Sequence, residues 1–350
     1  GVLGFIVSAS GVISIKASGG HWAVTRWVLE FSMHRSVATH SLGVSVPSLD
    51  DPAMVLKGAG HYELGCRACH GSPSVPTSRL ASSMLPVPPY LPRTVGEWDA
   101  AELFTVVKHG IKFTGMPAWP SQRRDDEVWA MVAFLRALPR MSGADYQRLI
   151  AGDAASDDAP SGPLGAQRPP AVTENCAHCH GVDGAGRGGG AFPTLAGQSE
   201  AYLVASLDAF AQGRRHSGIM QPIASELTAT QRRELARYYA GLRPVRVAPT
   251  GGGDLAASIA RGAELARVGS SAERIPSCAV CHGPGATERN PTYPTLAGQY
   301  APYLALQVEL FLRGDRGGTA YAHVMHRAAR GMTRAQITDV SRYYASLPVP

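Results

Sequence analysis

Apolar residues recur along most of this chain with the spacing of amphipathic helices. Asp51 before Pro52 is a start signal for a helix over PAMVLKGAGHYELGC, and Asp254 starts a helix over LAASIARGAELARV in the same way. The segment DDEVWAMVAFLRALP predicts a further helix that ends at Pro139. Alternating strand patterns are absent from the sequence. We therefore expect an all-α chain with long loops, and loops that long in small domains need a ligand to fold against.

The N-terminal stretch is apolar from Gly1 to Ile15. It is shorter than the roughly 20 apolar residues that span a bilayer, so it also suits the core of a signal peptide or a buried helix. Because the chain begins at Gly1 rather than at Met, we favour the interpretation that residues 1–20 are part of a transmembrane anchor.

Aromatic residues recur near helical spacing in the next stretch, residues 21–45, where Trp22, Trp27 and Phe31 stand among charged residues. Trp with basic neighbours is typical of a helix at a membrane interface. A helix that packs on a partner protein has the same pattern. Under both interpretations, residues 21–45 form a docking helix.

Two breaks divide the rest of the chain. Residues 152–172 are small, polar and rich in Pro, which predicts a linker, and a second break lies at residues 244–254. We call the three predicted domains the first, second and third segments: residues 46–151, 173–246 and 247–350.

The second and third segments are internal repeats of about 100 residues. The hexapeptide PTLAGQ occurs at residues 193–198 and again at 294–299, and LARYYAGL at 235–242 is answered by VSRYYASL at 340–347. The first segment lacks PTLAGQ. We interpret it as a more distant relative of the other two.

A short motif, Cys-x-x-Cys-His, occurs once in each segment, as GCRACHG, NCAHCHG and SCAVCHG. The three copies use all six cysteines of the chain: Cys66, Cys69, Cys176, Cys179, Cys278 and Cys281. This spacing is typical of covalent attachment of a c-type haem, in which both thiols add to the haem vinyl groups and the histidine binds the iron. The histidines are His70, His180 and His282.

Other uses of the motif fit less well. A closed zinc site would take two cysteine pairs and leave the third pair over. A redox dithiol of the thioredoxin type would stand in a βαβ context, which the sequence does not show. The sequence therefore predicts three covalently bound haem c groups.

A haem iron of this kind needs a second axial ligand, and methionine raises the reduction potential relative to a second histidine. FTGMPAWP offers Met116 in the first segment, and Met220 is the only methionine of the second. In the third segment the repeat alignment places Met325 under Met220, so we choose Met325. The open alternatives there are Met332, His323 and His326.

Charge and composition narrow the function. The net charge is +6 and 17% of residues are charged, but no run of Lys and Arg is interleaved with aromatic residues, so we expect no nucleic-acid partner. No paired carboxylates or nucleophile triad can be argued, so we expect neither a catalytic site nor a small-molecule substrate. The weaker candidates for contact with haem propionates are Arg187, Arg214, Arg215 and Trp119.

With these motifs, residues 46–350 resemble the c-type cytochrome family. The resemblance implies three small class I-type cytochrome c domains in tandem after an N-terminal membrane or docking helix. It implies that the backbone carbonyls of Pro193 and Pro294 support the haem histidines. The axial pairs that it implies are His70 with Met116, His180 with Met220 and His282 with Met325.

The last two segments are similar to tandem dihaem cytochromes c of bacteria, and the whole layout is similar to membrane-bound cytochrome subunits. The expected function is therefore a membrane-anchored trihaem relay subunit of a respiratory complex that delivers electrons to a terminal oxidase. Because haem attachment takes place outside the cytoplasm, we expect the bacterial inner membrane, with the haem domains on the periplasmic side.

Three alternatives stay open. One is a subunit that accepts electrons from a periplasmic dehydrogenase. Another is an enzyme or gas sensor in which one haem, the third, is five-coordinate. The last is an electron shuttle without a partner subunit.

Overall fold

The computed structural model describes residues 1–151, 169–170, 176–244, 254–283 and 290–349. Most of the predicted linker at 152–172, and most of the break at 244–254, lie outside the described residues. Within them the chain is helical and has no strand, apart from isolated bridges between Arg187 and Phe192 and between Ser270 and Ile275. The predicted all-α fold is confirmed.

The helices of the N-terminal region and the first segment have between 4 and 18 residues. They are α1 (Val2–Ala9), α2 (Ala23–His40), α3 (Pro52–Gly65), α4 (Arg67–His70), α5 (Arg79–Ser82), α6 (Leu91–Thr94), α7 (Ala100–His109), α8 (Asp125–Ala137) and α9 (Gly143–Ala151).

The second and third segments repeat one order of helices. The helices of the second segment are α10 (Ala177–His180), α11 (Glu200–Ala211), α12 (Met220–Glu226) and α13 (Ala229–Ala240). Those of the third are α14 (Leu255–Val268), α15 (Ala279–His282), α16 (Ala301–Arg313), α17 (Ala322–Ala329) and α18 (Arg334–Ser346). Four short 3₁₀ turns complete the described structure: Ala17–Gly19, Val95–Glu97, Leu138–Arg140 and Gly188–Gly190.

The predicted helix starts differ in how they are capped. The Asp51 carboxylate accepts a hydrogen bond from the Ala53 amide at 2.8 Å, and Pro52 occupies the first turn of α3, as predicted. Asp254 also precedes α14, but its carboxylate pairs with Arg261 at 3.2 Å and makes no side-chain cap. The position of this start is confirmed, and its predicted capping is not.

The core of the first segment forms where α3 crosses α8. Tyr62, Phe134 and Tyr146 are fully buried there, with the Tyr62 and Phe134 rings 5.0 Å apart. Burial of side chains this large stabilises the fold by about 1.5–3 kcal/mol each. Gly58 permits the close crossing, because a Cβ at this position would overlap the Ala130 carbonyl oxygen.

The third segment uses the same device. Helix α14 packs on α18, and a side chain at Gly262 would overlap the backbone of Asp339. The carboxylate of Asp339 accepts from the Ser258 hydroxyl at 2.5 Å and from Arg261 Nε at 2.7 Å, which adds polar contacts to this crossing.

The first segment contacts the cysteine motif of the second. Helix α3 of the first segment packs on α10. A Cβ built at Gly60 of α3 would lie 2.9 Å from Cζ of Phe192 and 3.2 Å from Sγ of Cys179. Helix α3 therefore serves the core of the first segment on one face and the cysteine motif of the second on another.

The N-terminal region departs from the sequence prediction. Helix α1 has only 8 residues, and α2 carries Arg26, Glu30 and Arg35 within its 18. Among the described helices, none combines the length and the apolar character needed to cross a bilayer. The predicted anchor at residues 1–20, and with it the expected attachment to the inner membrane, is wrong.

Helix α2 packs on α7 of the first segment through its C-terminal half. Val37 is buried, and the ring of His34 stacks on that of Trp98 at 4.6 Å. Trp22 and Trp27 of its N-terminal half are largely exposed. The docking role of this exposed half stays a prediction.

Candidate functional site

Each cysteine motif lies on a short helix that ends at a glycine. In α4, α10 and α15 the cysteines stand three positions apart, so both thiols face one side of the helix and the histidine follows at once. The next residues are Gly71, Gly181 and Gly283, with φ of 68°, 77° and 73°. Only glycine adopts this conformation without strain, which explains why the motif reads Cys-x-x-Cys-His-Gly in all three copies.

A backbone carbonyl orients each motif histidine. His180 Nδ1 donates to the Pro193 carbonyl oxygen at 3.0 Å and His282 Nδ1 to that of Pro294 at 3.1 Å, as the resemblance implied. In the first segment, His70 Nδ1 donates to the carbonyl of Pro89 at 2.9 Å. Since a carbonyl can only accept, each Nδ1 carries the proton and each Nε2 keeps the lone pair that can bind a metal.

Tyrosine hydroxyl groups hold the end of each motif helix. Tyr62 donates to the Gly71 carbonyl at 2.7 Å, Tyr239 to that of Gly181 at 3.2 Å and Tyr344 to that of Gly283 at 2.8 Å. The last two belong to the repeated Tyr-Tyr pairs of α13 and α18. The repeated Tyr-Tyr pair is thereby explained, because its second tyrosine holds the glycine that ends the motif helix.

The six cysteines form no disulfide with one another. Burial raises the pKa of Cys176 to about 11, and burial with the neighbouring Cys69 raises that of Cys66 to about 12. The pKa of Cys179 is raised to about 12, again mainly by burial. Thiols this hard to ionise lack the lowered pKa that marks a redox dithiol.

One internal cavity, lined mostly by apolar side chains, runs through the second and third segments. It brings together Cys176, Cys179, His180 and Met220 of the second segment with Cys281, His282 and Met325 of the third. The predicted cysteine anchors and iron ligands of the second segment therefore all line the same cavity. Cys278 instead packs beside the core of the third segment.

The competing ligands of the third segment lie elsewhere. Met332 packs against the hydrophobic core formed by α14, α16 and α18. His323 and His326 are exposed, and His326 Nδ1 donates to the Phe311 carbonyl at 2.6 Å. Of these candidates, only Met325 is at the cavity wall.

In the first segment, Met116 lies in a loop that folds back on the end of α7. The amide of Ile111 donates to the Met116 carbonyl at 3.2 Å, and a side chain at Gly110 would collide with the Met116 and Pro117 backbone. A second methionine, Met84, contacts the neighbouring Gly115 through its Cε atom. Sequence reasoning did not single out Met84, because it stands in a Pro-rich stretch without a repeat partner.

Two arginines at the junction of the second and third segments form a related pair. Arg215 Nη2 donates to Tyr303 Oη of the third segment at 3.3 Å, and Arg316 Nη2 donates to Tyr202 Oη of the second at 3.0 Å. Arg215 also lies over the Phe210 ring and Arg316 over the Phe311 ring, each in its own segment. The two segments therefore make matching contacts across their junction.

The same junction therefore holds two cations. Among the described residues, Arg215 is buried and Arg316 half-buried without a carboxylate partner. Burial and the adjacent Arg215 lower the pKa of Arg316. Burial by itself raises the pKa of Tyr202, but Arg316 and Arg215 lower it to about 8. Buried cations require an anion, and haem carries propionate carboxylates, so this junction of the cavity fits a bound haem.

The other predicted propionate contacts have different partners. Arg187 donates to the carbonyls of His178 and Leu149, which joins α10 to α9. Arg214 donates to the Gly318 carbonyl across the second and third segments. The indole of Trp119 donates to Glu127. Arg187 and Arg214 therefore join neighbouring segments, whereas the Trp119 bond lies within the first segment.

His61 of α3 was not predicted as a site residue. Its side chain is buried and lines the same cavity. Its Nδ1 has no hydrogen-bond partner among the described atoms. His61 belongs to the first segment and precedes Cys176 by 115 residues in the sequence. No local pattern connects residues so far apart, so sequence reasoning could not find it.

Comparison with known proteins agrees with the resemblance to c-type cytochromes. Residues 170–242 and 259–348 match the family described as "Cytochrome c", and residues 53–135 match "Cytochrome C oxidase, cbb3-type, subunit III". The chain is 38% identical over 181 residues to the thiosulfate dehydrogenase electron acceptor of Thiomonas intermedia (strain K12), a match that covers 51% of this chain and 82% of that protein.

Two further relatives are cytochromes c4. That of Pseudomonas aeruginosa is 31% identical, and the match covers 49% of this chain and 83% of the relative. A solved structure of cytochrome c4 from Acidithiobacillus ferrooxidans is 31% identical in sequence and has a TM-score of 0.43. The match covers 49% of this chain and 98% of that chain.

The motifs, the carbonyl-bound histidines and these matches define an electron-transfer protein that binds haem c covalently. The chain belongs to the c-type cytochrome family, with cytochrome c domains in tandem.

Proposed function

We propose that the chain binds three haem c groups, one in each segment. The thioether anchors would be Cys66 and Cys69, Cys176 and Cys179, and Cys278 and Cys281. The axial pairs would be His70 with Met116, His180 with Met220 and His282 with Met325. The shared cavity wall supports the last two pairs, and the carbonyl bonds of the histidines support all three.

When bound, haem would supply the one-electron redox chemistry. The residues of the chain would hold each group in place. Tyr62, Tyr239 and Tyr344 fix the motif helices, and Arg215 and Arg316 supply positive charge at the junction. Such fixed surroundings suit electron transfer, which proceeds fastest when little has to reorganise.

We propose that the electron donor is a thiosulfate dehydrogenase. One observation carries this assignment: the 38% identity to a thiosulfate dehydrogenase electron acceptor, over 82% of that relative. The alternative of accepting electrons from a dehydrogenase is therefore better supported than delivery to a terminal oxidase. Delivery to an oxidase is the second candidate, and the match of residues 53–135 to an oxidase subunit family favours it as a later step.

The test is reduction of the oxidised, haem-loaded protein by purified thiosulfate dehydrogenase and thiosulfate, followed by haem absorbance. We expect rapid reduction only when both enzyme and thiosulfate are present. Mixtures that lack either one are the controls, and dithionite defines full reduction. Full reduction by dithionite, with none by the enzyme and thiosulfate, would show that the donor assignment is wrong.

A further inference from the structure

A buried carboxylate of the first segment reaches into the second. Glu127 on α8 is only 3% exposed. Its Oε1 accepts a hydrogen bond from the Ser217 hydroxyl at 2.7 Å, and its Oε2 accepts from the Gly218 amide at 2.6 Å. These bonds join residues 90 and 91 positions apart in the sequence.

Neighbouring side chains hold this carboxylate in place. Arg124 Nη1 lies 2.9 Å from Oε1 of Glu127, and the Trp119 indole nitrogen donates to Oε2 at 3.3 Å. Arg124 Nη1 also donates to the His216 carbonyl at 2.8 Å, so the ion pair itself crosses between the segments. A buried carboxylate with this many donors is fixed in position.

The contact continues to Met220. The Ser217 hydroxyl donates to Glu127 and accepts hydrogen bonds from the amides of Met220 at 3.1 Å and Ile219 at 3.3 Å. A side chain at Gly218 would overlap the Trp119 indole, so glycine is required for this close approach. The turn that begins α12 and carries Met220 is therefore held from outside its own segment.

We propose that Glu127 is a positioning residue for the second haem, contributed by the first segment. It fixes the turn 217–220 and so holds the Met220 sulfur where it can bind iron. The inference rests on the proposed function, in which Met220 is the axial ligand of this haem. It predicts that the second haem depends on the first segment for its ligand geometry.

The test uses Glu127→Gln in the full, haem-loaded chain. The amide has nearly the same shape, but its NH₂ group cannot accept from Gly218 or Ser217, and it loses the charge that pairs with Arg124. Carbon monoxide can bind the reduced second haem only after Met220 leaves the iron. We expect this binding to become at least about tenfold faster, because hydrogen bonds to a charged group are lost.

A second readout is independent of the haem. Hydrogen exchange of the amides in residues 217–220 should accelerate at least about tenfold in Glu127→Gln, because one of the Ser217 and Gly218 donors loses its acceptor and the other keeps only a neutral one. Ser217→Ala removes the same bridge from the other side and should give the same two changes. This second variant covers the case in which Glu127→Gln does not fold.

The matched control is Arg123→Gln. Arg123 also belongs to the first segment but contacts the third, where it pairs with Asp315 at 3.0 Å and donates to the Gly314 carbonyl. Its loss should leave carbon monoxide binding and the exchange of residues 217–220 unchanged. An equal effect of Arg123→Gln would show that the changes reflect general loosening of the segments, which would overturn the proposal.

Met220→Ala separates this inference from the proposed function. Slow carbon monoxide binding in Met220→Ala would show that Met220 is not the ligand, and the exchange data would still decide whether Glu127 holds the turn. Fast binding in Met220→Ala, with both readouts in Glu127→Gln and Ser217→Ala within twofold of the parent, would leave the ligand in place and overturn the role of Glu127.

Discussion

The side-chain amide of Gln299 forms two hydrogen bonds with the backbone of Thr194 across the second and third segments. Its Oε1 accepts from the Thr194 amide at 3.0 Å, and its Nε2 donates to the Thr194 carbonyl at 2.9 Å. Gln198 makes the same pair of bonds with Thr295, at 3.0 and 2.7 Å. The two PTLAGQ repeats therefore bind each other.

These bonds lie next to the motif histidines. Thr194 follows Pro193, whose carbonyl accepts from His180, and Thr295 follows Pro294, whose carbonyl accepts from His282. The interface thus fixes the backbone on which both histidines depend. Disturbing one glutamine should affect stability and haem environment together.

Gln299→Ala should lower the free energy of unfolding by about 2–4 kcal/mol, because it leaves the buried amide and carbonyl of Thr194 without partners. Denaturant unfolding of the haem-loaded protein measures this change. The exposed Gln147 is the control, and Gln147→Ala should shift the value by no more than about 0.5 kcal/mol. Equal effects of the two variants would contradict the role given to Gln299.

The two methionines of the third segment should behave differently. Met325→Ala should remove the methionine-to-iron absorption band of one haem, because Met325 lines the cavity. Met332→Ala should keep that band and instead lower the free energy of unfolding by about 1–3 kcal/mol, since Met332 packs on the core. Absorption spectra and denaturant unfolding of both variants show which methionine is the ligand and which belongs to the core. The opposite assignment would follow if only Met332→Ala lost the band.

A larger side chain at Gly60 should damage the second haem site from the first segment. Gly60→Val would press on Phe192 and Cys179, so we expect a loss of about 1–3 kcal/mol in unfolding free energy and fewer chains with haem on Cys176 and Cys179. Intact-mass spectrometry counts the attached haems. Gly65→Val is the control, because nothing lies within 4 Å of a Cβ there. Complete haem loading of Gly60→Val at unchanged stability would show that α3 does not form this wall.

Acid should weaken the fold through His61. Burial lowers its pKa well below the usual value, Lys57 and Arg124 lower it further, and Asp126 opposes them. The folded protein therefore keeps His61 neutral, while the unfolded chain takes up a proton on this histidine below about pH 6.5. The free energy of unfolding consequently decreases as the pH is lowered, by up to about 1.4 kcal/mol per pH unit.

His61→Gln should flatten this fall between pH 7 and pH 5, as measured by denaturant unfolding at several pH values. The exposed His109 on α7 supplies the control. His109→Gln should leave the slope unchanged. A slope that His61→Gln does not alter would contradict the account of the buried imidazole.

Local patterns were sufficient for much of the fold and for the chemistry of the site. The cysteine motif indicates haem attachment, and the PTLAGQ and Tyr-Tyr repeats indicate that the second and third segments are related, so these features could be predicted. The contact of Glu127 with Gly218 could not, because it joins two segments whose sequences carry no mutual signal. The anchor prediction failed because an apolar run does not specify helix length, and α1 ends at Ala9.

We propose that this cytochrome carries electrons through three haems, each with both axial positions filled by residues of the chain. Carbon monoxide titration of the fully reduced protein tests this proposal, with the bound gas counted per haem from the change in absorbance. We expect no stoichiometric binding at neutral pH. Binding of about one carbon monoxide per three haems would contradict it, and would show an open iron site suited to an enzyme or a gas sensor.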